Sequence, residues 1–377
     1  MAFALSFCFY AWMAILNNYV IDVAKFTGKE IGILQSVREI PGFLAFLAIY
    51  ILLFLRQQNL ALVSLFIMSL GIMGTGILTT AVNLYLITLL MSIGFHYLET
   101  MLQSLQLLWL DKDTAPIIMG KVISVKNFAM TLTFVVVFLA FKTFEISYQV
   151  AYFVFGGSGI LLVLIAIFGF GKFKDDKNQL RKIVLKKRYW LFYLLTFFSG
   201  ARRQIFVVFA GFLLVEKFNF SVANIALLHF FNALIGIYFA HQIGKLIAKI
   251  GERNSLVIEY IGLALLFFTY GMVESETVAI FLYIIDSILF SMAIAIKTYF
   301  QKIADNEDLT SSAGVSFTIN HIAAVFLPVL LGFIWIQNYS IVFFIGSGIA
   351  ILSLLASMLV PKQPSPGNYL SFSQQSA

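Results

Sequence analysis

Four polar side chains fall on one face of a long apolar stretch of the sequence. His96, Glu99, Gln103 and Gln106 are spaced by three, four and three residues, so a helix places them in line. A carboxyl group removed from water holds its proton more tightly, and a histidine can change charge near neutral pH. The stripe therefore predicts proton handling at His96 and Glu99, although a static hydrogen-bonded pair between helices would use the same residues.

The same two residues could also ligate a metal ion, because a His-x-x-Glu spacing places both ligands on one side of a helix. The remaining three histidines of the chain are scattered along the sequence. We therefore predict no metal site and no cofactor. The chain has no phosphate-binding loop of the Walker type, so direct use of ATP is not indicated either.

Two adjacent arginines, Arg202 and Arg203, lie midway along another apolar stretch. Guanidinium groups bind carboxylate or phosphate through paired hydrogen bonds. Neighbouring helical residues point about 100° apart, so at most one of the two is expected to face a central cavity. We predict that at least one binds an anionic solute. The alternative is an ion pair between helices, with Glu39 or Asp286 as the partner.

Other polar groups also lie in apolar stretches, where a charge costs about 2.5–3.5 kcal/mol on insertion scales and needs a partner or water. Asp286 and Lys297 are eleven residues apart, close to three helical turns, so they share a face. Arg38 and Glu39 precede Pro41, which removes a helix hydrogen bond and predicts a bend near a gate. Glu39 and Asp286 join His96 and Glu99 as predicted proton-handling groups. The predicted solute-binding residues are Arg202, Arg203, Lys126, Asn127, Lys297, Gln103, Asn320 and His321.

The chain that carries these groups is otherwise strongly apolar. Of its 377 residues, 61% are hydrophobic and 11% are charged, against roughly 45–50% and about 25% in soluble domains. Such a composition suits a lipid environment and predicts a polytopic α-helical membrane protein. The net charge of +7 does not indicate nucleic-acid binding, because eight of the 25 basic residues lie in the one loop 172–188. Cys8 is the single cysteine, so an intrachain disulfide is excluded.

Stretches of about 20 apolar residues predict twelve transmembrane helices in two bundles of six. The predicted helices are 2–21, 31–55, 60–81, 84–109, 116–141, 148–171, 189–214, 222–248, 255–273, 277–301, 313–337 and 340–360. The predicted domains are an N-terminal bundle 1–171, a basic cytoplasmic linker 172–188, a C-terminal bundle 189–360 and a disordered cytoplasmic tail 361–377.

Basic residues are distributed unequally between the two sets of loops. About fifteen lie in the even-numbered loops and the tail, and four lie in the other loops. By the positive-inside rule, both termini are cytoplasmic. We predict a multi-pass protein of a bacterial cytoplasmic (inner) membrane.

The two halves also repeat one another at an offset of 194 residues. Lys126 and Asn127 fall on Asn320 and His321, and Ala129 falls on Ala323. Polar groups at matching depths in two related halves predict a central site between them, although chance similarity of apolar sequences is the alternative.

One loop carries a family motif in degenerate form. The segment 244–256 is similar to the G-x-L-x-D-R-x-G-R-R-x-x-L loop of the major facilitator superfamily at Gly244, Leu246, Gly251, Arg253 and Leu256, with Lys249 at the first basic position. Ala248 stands where the family has its acidic residue, and Glu252 replaces a basic residue. The resemblance implies alternating access about a central cavity.

The same loop predicts a cytoplasmic gate or, equally well, a basic loop that only sets topology. Gly244 and Gly251 permit a tight turn, and Lys245, Lys249 and Arg253 stay in the headgroup region. Glu259 follows closely enough in sequence to pair with one of these bases. The predicted gating residues are Gly244, Lys249, Gly251, Arg253, Glu259 and Arg38.

These observations predict a monomeric secondary transporter that moves a small polar or anionic organic solute, with proton coupling as an option. An exporter of an amphipathic compound or lipid is a close alternative. A non-transporting membrane sensor or assembly protein on the same scaffold is another. An intramembrane enzyme is disfavoured, because no nucleophile constellation accompanies His96, Glu99 and His321.

Overall fold

The computed structural model describes residues 1–110, 115–169, 171 and 185–371. These residues are helical and contain no β-strand, apart from an isolated bridge between Ser365 and Asn368. The α-helices in chain order are α1 (Ala2–Asp22), α2 (Gly28–Phe43), α3 (Ala48–Ile51), α4 (Gln57–Thr75), α5 (Ala81–Trp109), α6 (Ala115–Lys142), α7 (Tyr148–Gly169), α8 (Trp190–Gln204), α9 (Gly211–Glu216), α10 (Val222–Ile250), α11 (Glu252–Gly271), α12 (Glu276–Ser291), α13 (Ile294–Ile303), α14 (Asn306–Gln337) and α15 (Tyr339–Ser357). The predicted all-α fold is confirmed.

Eleven helical segments in the described ranges are long and apolar enough to cross a membrane. Large apolar side chains lie exposed along them, as at Leu86, Leu161, Leu265 and Phe281. Lipid is the surrounding that makes such exposure favourable. The protein is therefore an integral, multi-pass membrane protein.

The predicted second helix, 31–55, is interrupted in the structure. It begins as α2, where the side chains of Thr27 and Glu30 form a capping box with the first backbone N–H groups. The helix ends at Phe43, and a short 3-10 turn and α3 follow. Pro41 lacks a backbone N–H and Gly42 adds flexibility, which accounts for a break directly after them.

Two other predicted helices contain irregular turns. The predicted helix 277–301 divides into α12 and α13 at Met292–Ala293. The predicted helix 189–214 contains a π-helical segment, Ile205–Ala210, between α8 and α9. Such wide turns shift the helical register and are frequent at functional sites.

The chain folds as two units. The first comprises Met1–Leu180 with Val215–Ala233, and the second comprises Arg181–Leu214 with Leu234–Ala377. The boundary between the units falls within 172–188, and 215–233 groups with the first unit. The predicted domain bounds stay predictions. Most of the linker lies outside the described residues. The repeat relation between 1–171 and 189–360 stays a prediction.

Close helix packing in the first unit depends on glycine. In this unit α4 lies along α5 and α7, α1 along α6, and α2 along α5. A side-chain carbon added at Gly94 would lie 2.3 Å from the Met68 backbone nitrogen, and one at Gly71 would lie 2.5 Å from the Met91 Cβ. Small residues at such positions let helix backbones approach closely in a membrane.

In the second unit, α11 packs along α15, and α8 packs against α14 and α15. The first part of the predicted tail has contacts here. The Ser371 N–H donates to the Leu359 carbonyl at 2.8 Å, and the Tyr299 hydroxyl donates to the Tyr369 carbonyl at 2.7 Å. Residues 372–377 of the predicted tail lie outside the described residues.

Candidate functional site

The first unit contains a small cavity lined by charged, polar and aromatic side chains. Its volume is about 130 Å³. The Lys126 ammonium lies 3.5 Å from a Glu99 carboxylate oxygen, and both side chains are partly exposed. The cavity is lined by Leu5, Ser6, Phe9, Tyr10, Phe95, Glu99, Lys126 and Asn127. Three predicted site residues, Glu99, Lys126 and Asn127, are thus brought together from α5 and α6.

Aromatic rings form one wall of this cavity. Phe9 of α1 and Phe95 of α5 are stacked, with ring centroids 4.0 Å apart and planes 20° apart. An apolar cavity of about 150 Å³ admits one benzene ring, so this slightly smaller cavity of about 130 Å³ has room for about one flat ring. The combination of stacked rings, an amide and an opposite-charge pair can therefore hold one planar polar ring. Sequence reasoning missed the aromatic wall, because 41 Phe residues hide any one pair.

The predicted stripe on α5 divides in the structure. Glu99 contacts Lys126, whereas the buried His96 has a ring nitrogen within 4.8 Å of a Glu39 carboxylate oxygen. Gln103 is exposed, and the Gln106 amide donates to the Leu102 carbonyl of its own helix. The proton-handling roles of His96 and Glu99 stay predictions.

Arg38 and Glu39 form a buried ion pair within α2, with 2.5 Å between a guanidinium nitrogen and a carboxylate oxygen. The other terminal nitrogen of Arg38 lies 3.1 Å from the Met13 sulfur, and the Ser92 hydroxyl donates to the Arg38 carbonyl. These contacts fix the end of α2, next to its break, against α1 and α5. The gating role of Arg38 stays a prediction.

The second unit buries a charged cluster built around Arg202 of α8. Its guanidinium lies 3.6 Å from a Glu259 carboxylate oxygen on α11, and its central carbon lies 4.2 Å from the centre of the Tyr260 ring. Asp286 of α12 is also buried and lies within electrostatic range of both charges. Arg202 thus forms an ion pair between helices with Glu259, in place of the expected partners Glu39 or Asp286, and anion binding by Arg202 stays a prediction.

The cluster contains two carboxyl groups and one guanidinium in a water-poor setting. Arg202 is 1% exposed and Glu259 is 0% exposed. With the described residues, neither the terminal nitrogens of Arg202 nor the oxygens of Glu259 make a well-formed hydrogen bond. An uncompensated buried charge is costly, and two carboxyl groups facing one guanidinium leave one acid of this cluster without a counter-charge.

The other predicted residues of this unit lie outside the cluster. Arg203 and Lys297 are exposed, and His321 is half-buried. The Asn320 side chain packs against α8, since a Cβ at Gly200 would lie 2.4 Å from the Asn320 amide oxygen. Roles of these residues in solute binding stay predictions.

The predicted gate loop has a different shape from the one expected. Helix α10 continues through Gly244 to Ile250, so Gly244 makes no turn. Only Gly251 has a left-handed backbone, with φ of 81°. Of the two glycines expected to permit a tight turn, Gly251 lies at the turn, and Gly244 lies inside the helix, where the predicted helix 222–248 also places it.

Partners in this loop also differ from expectation. Glu259 pairs with Arg202 and not with Lys245, Lys249 or Arg253. The buried Glu252 receives the Lys302 ammonium at 2.6 Å, and Arg253 lies 3.5 Å from the Ser371 hydroxyl. Lys249 is exposed. Lys302 was missed because it is 50 residues from its partner in sequence.

A second ionic contact, also missed, joins the start of α8 to the start of α14. The Asp308 carboxylate accepts from Lys186 and Arg188, each at 2.6 Å, and from the Tyr189 hydroxyl at 2.8 Å. Burial alone would raise the pKa of Asp308, but these hydrogen bonds outweigh it and lower the pKa to about 2. Sequence reasoning saw the basic residues only as a topology signal.

The helical architecture and the degenerate loop motif agree with the sequence comparison. A profile of the Major Facilitator Superfamily matches residues 1–328. The chain belongs to this superfamily. A search of curated protein sequences gave no match. The family assignment confirms the resemblance seen at 244–256 and makes the protein a membrane transporter by membership.

Solved structures of superfamily transporters share the fold over nearly the whole chain. A point mutant of the nucleoside transporter NupG is similar with a TM-score of 0.78 at 18% identity, covering 95% of this chain and 97% of that one. NupG itself gives 0.75 at 16% identity, covering 95% and 96%. A bacterial homologue of the human lysosomal transporter Spinster, inward-facing and occupied, gives 0.71 at 13% identity, covering 96% and 95%. At these identities the likeness shows the fold alone.

Proposed function

We propose that this superfamily member is a secondary transporter for a small polar organic solute that contains a planar ring, and that transport is coupled to protons. The observation that carries the proposal is the cavity of the first unit, where the Glu99–Lys126 pair lies beside the stacked rings of Phe9 and Phe95. Charged and amide groups can hydrogen-bond the polar atoms at the edge of a planar solute ring. The aromatic side chains can stack on the face of that ring.

A polar ring is favoured over an anion because the arginine best placed to bind an anion is already engaged. Arg202 is buried against Glu259 and Tyr260. In the cavity, Lys126 is balanced by Glu99, so no net positive charge is offered. A nucleobase presents such a ring, and the cavity of about 130 Å³ has room for the base alone. One structural neighbour, NupG, matched both as wild type and as a point mutant, is a nucleoside transporter by name.

Proton coupling is assigned to the cluster of Arg202, Glu259 and Asp286. One carboxyl beyond the charge of the arginine, held out of water, can bind and release a proton when solvent reaches it. His96 and Glu99 stay predicted proton-handling groups beside this cluster. Asp286 keeps its predicted role and Glu259 joins it.

Uptake into proteoliposomes tests the proposal. Purified protein with an imposed proton gradient should accumulate radiolabelled uridine or adenosine above the level reached when the gradient is collapsed. Liposomes without protein provide the control. Transport of a fluorescent lipid with no uptake of any ring-containing polar solute would favour the amphipath-exporter alternative. Binding without uptake would favour the sensor alternative.

A further inference from the structure

A second, larger cavity lies in the first unit, at the C-terminal end of α1. Its volume is about 520 Å³, within the roughly 300–1,000 Å³ range of small-molecule sites. It shares no lining residue with the Glu99–Lys126 cavity. By the predicted topology this end is extracellular.

The lining of this cavity is acidic. Asp22, Glu145 and Glu216 contribute carboxylates, against the single ammonium of Lys142. The Tyr148 hydroxyl donates to the Asp22 carboxylate and thereby positions it. All three carboxylate residues are exposed to the open cavity, so an incoming cation can reach them.

An orphaned buried acceptor also lies in the wall. Asn18 lines the cavity and is only 4% exposed. Its amide nitrogen donates to the Phe220 carbonyl at 2.6 Å, while its oxygen receives no hydrogen bond from any residue that the structure describes. A buried acceptor without a donor costs free energy, which a ligand N–H or O–H would recover.

Aromatic rings complete the lining. The rings of Phe141 and Tyr148, with centroids 5.6 Å apart, both border the cavity. Carboxylates together with aromatic faces are the groups that bind organic ammonium ions. A chelated metal ion fits less well, because in the described part of the chain these three carboxylates do not form a group whose oxygens all lie within 4.8 Å of one another.

We propose that this cavity is a binding site for a small organic cation that carries an ammonium group. Its charge is met by Asp22 and Glu145, its apolar part lies on Phe141 and Tyr148, and a donor on it satisfies the Asn18 oxygen. The site is independent of the proposed transport function, since a cation could bind here whatever the protein moves.

Calorimetric titration of the full-length protein in lipid nanodiscs tests this assignment. Choline and propylammonium are the probes, and 3,3-dimethyl-1-butanol is the uncharged isostere of choline. We expect the ammonium probes to bind and the isostere not to. Asp22→Asn and Glu145→Gln together should weaken binding roughly tenfold, while Glu276→Gln, at an exposed carboxylate elsewhere, should leave it unchanged.

Several outcomes would overturn the proposal. They are equal binding of choline and its isostere, unchanged binding in the double variant, no binding of either ammonium probe, and tighter binding of calcium or sodium that depends on the same carboxylates. Both single variants are measured as well, so a misfolded double variant would not leave the test open. Thermal melting of each variant reports whether it is folded.

Discussion

The guanidinium of Arg202 lies 3.6 Å from a carboxylate oxygen of Glu259, with both side chains almost completely removed from solvent. The pair joins α8 to α11 directly before the π-helical segment of the predicted seventh span. The ion pair thus joins Arg202, predicted to bind the solute, to Glu259, predicted to belong to the gate. Because Glu259 engages Arg202, we propose a polar solute in place of the predicted anionic one.

Removing the arginine should destabilise the second unit strongly. Arg202→Ala leaves Glu259 and Asp286 without their positive partner, and breaking a buried pair in this way costs about 3–5 kcal/mol. Arg203→Ala, at the adjacent exposed position, should cost no more than about 0.5 kcal/mol. Thermal melting of the two variants in the same detergent measures the difference. Equal losses would mean that Arg202 is not the structural partner of the acids.

Much of the fold follows from the sequence, because long apolar stretches must be helices in lipid. The break after Phe43 was also readable in Pro41–Gly42. Side-chain partners were harder to predict. Glu259 was assigned to nearby lysines because it is close to them in sequence, whereas its actual partner is 57 residues away on α8. The sequence identified Glu99 and Lys126 as charges within the membrane. It did not show that they pair, because residue spacing within one helix does not reveal which other helix packs against it.

Replacing the acids Glu259 and Asp286 by amides should abolish proton-driven accumulation and leave solute exchange in place. In Glu259→Gln and Asp286→Asn a proton can no longer be released, so gradient-driven accumulation should fall at least tenfold. Exchange of labelled for unlabelled solute without a gradient should persist, because the cavity of the first unit is intact. Both assays use the same proteoliposomes. Loss of exchange together with accumulation would argue against a dedicated coupling role.

Two glycines of the loop between α10 and α11 should respond oppositely to alanine. Gly251→Ala places a side chain at φ of 81° and should cost about 1–2 kcal/mol. Gly244→Ala lies inside α10, where an added Cβ meets nothing within 4 Å, and should stabilise by roughly 0.5–1 kcal/mol. Melting temperatures of the two variants check the signs. Destabilisation by Gly244→Ala as well would contradict the placement of Gly244 inside α10.

Acid should release the contact between the starts of α8 and α14. The pKa of Asp308 is lowered to about 2 from its usual 3.8, so its pairing stabilises the fold above about pH 4 and this stabilisation is lost as the pH falls towards 2. The difference in melting temperature between wild type and Asp308→Asn should be constant from about pH 5 to 8 and should shrink on acidification below 4. A difference that stayed constant down to about pH 2 would show that the carboxylate charge does not matter.

We propose that Glu99 and Lys126 bind the transported solute. The most direct test is the concentration dependence of uridine uptake into proteoliposomes, compared between wild type, Glu99→Gln and the exposed-site control Glu276→Gln. Loss of one hydrogen-bonded charge should raise the half-saturating concentration of Glu99→Gln roughly tenfold or more, while the control matches wild type. Uptake by Glu99→Gln that is indistinguishable from wild type would show that Glu99 does not bind the transported solute.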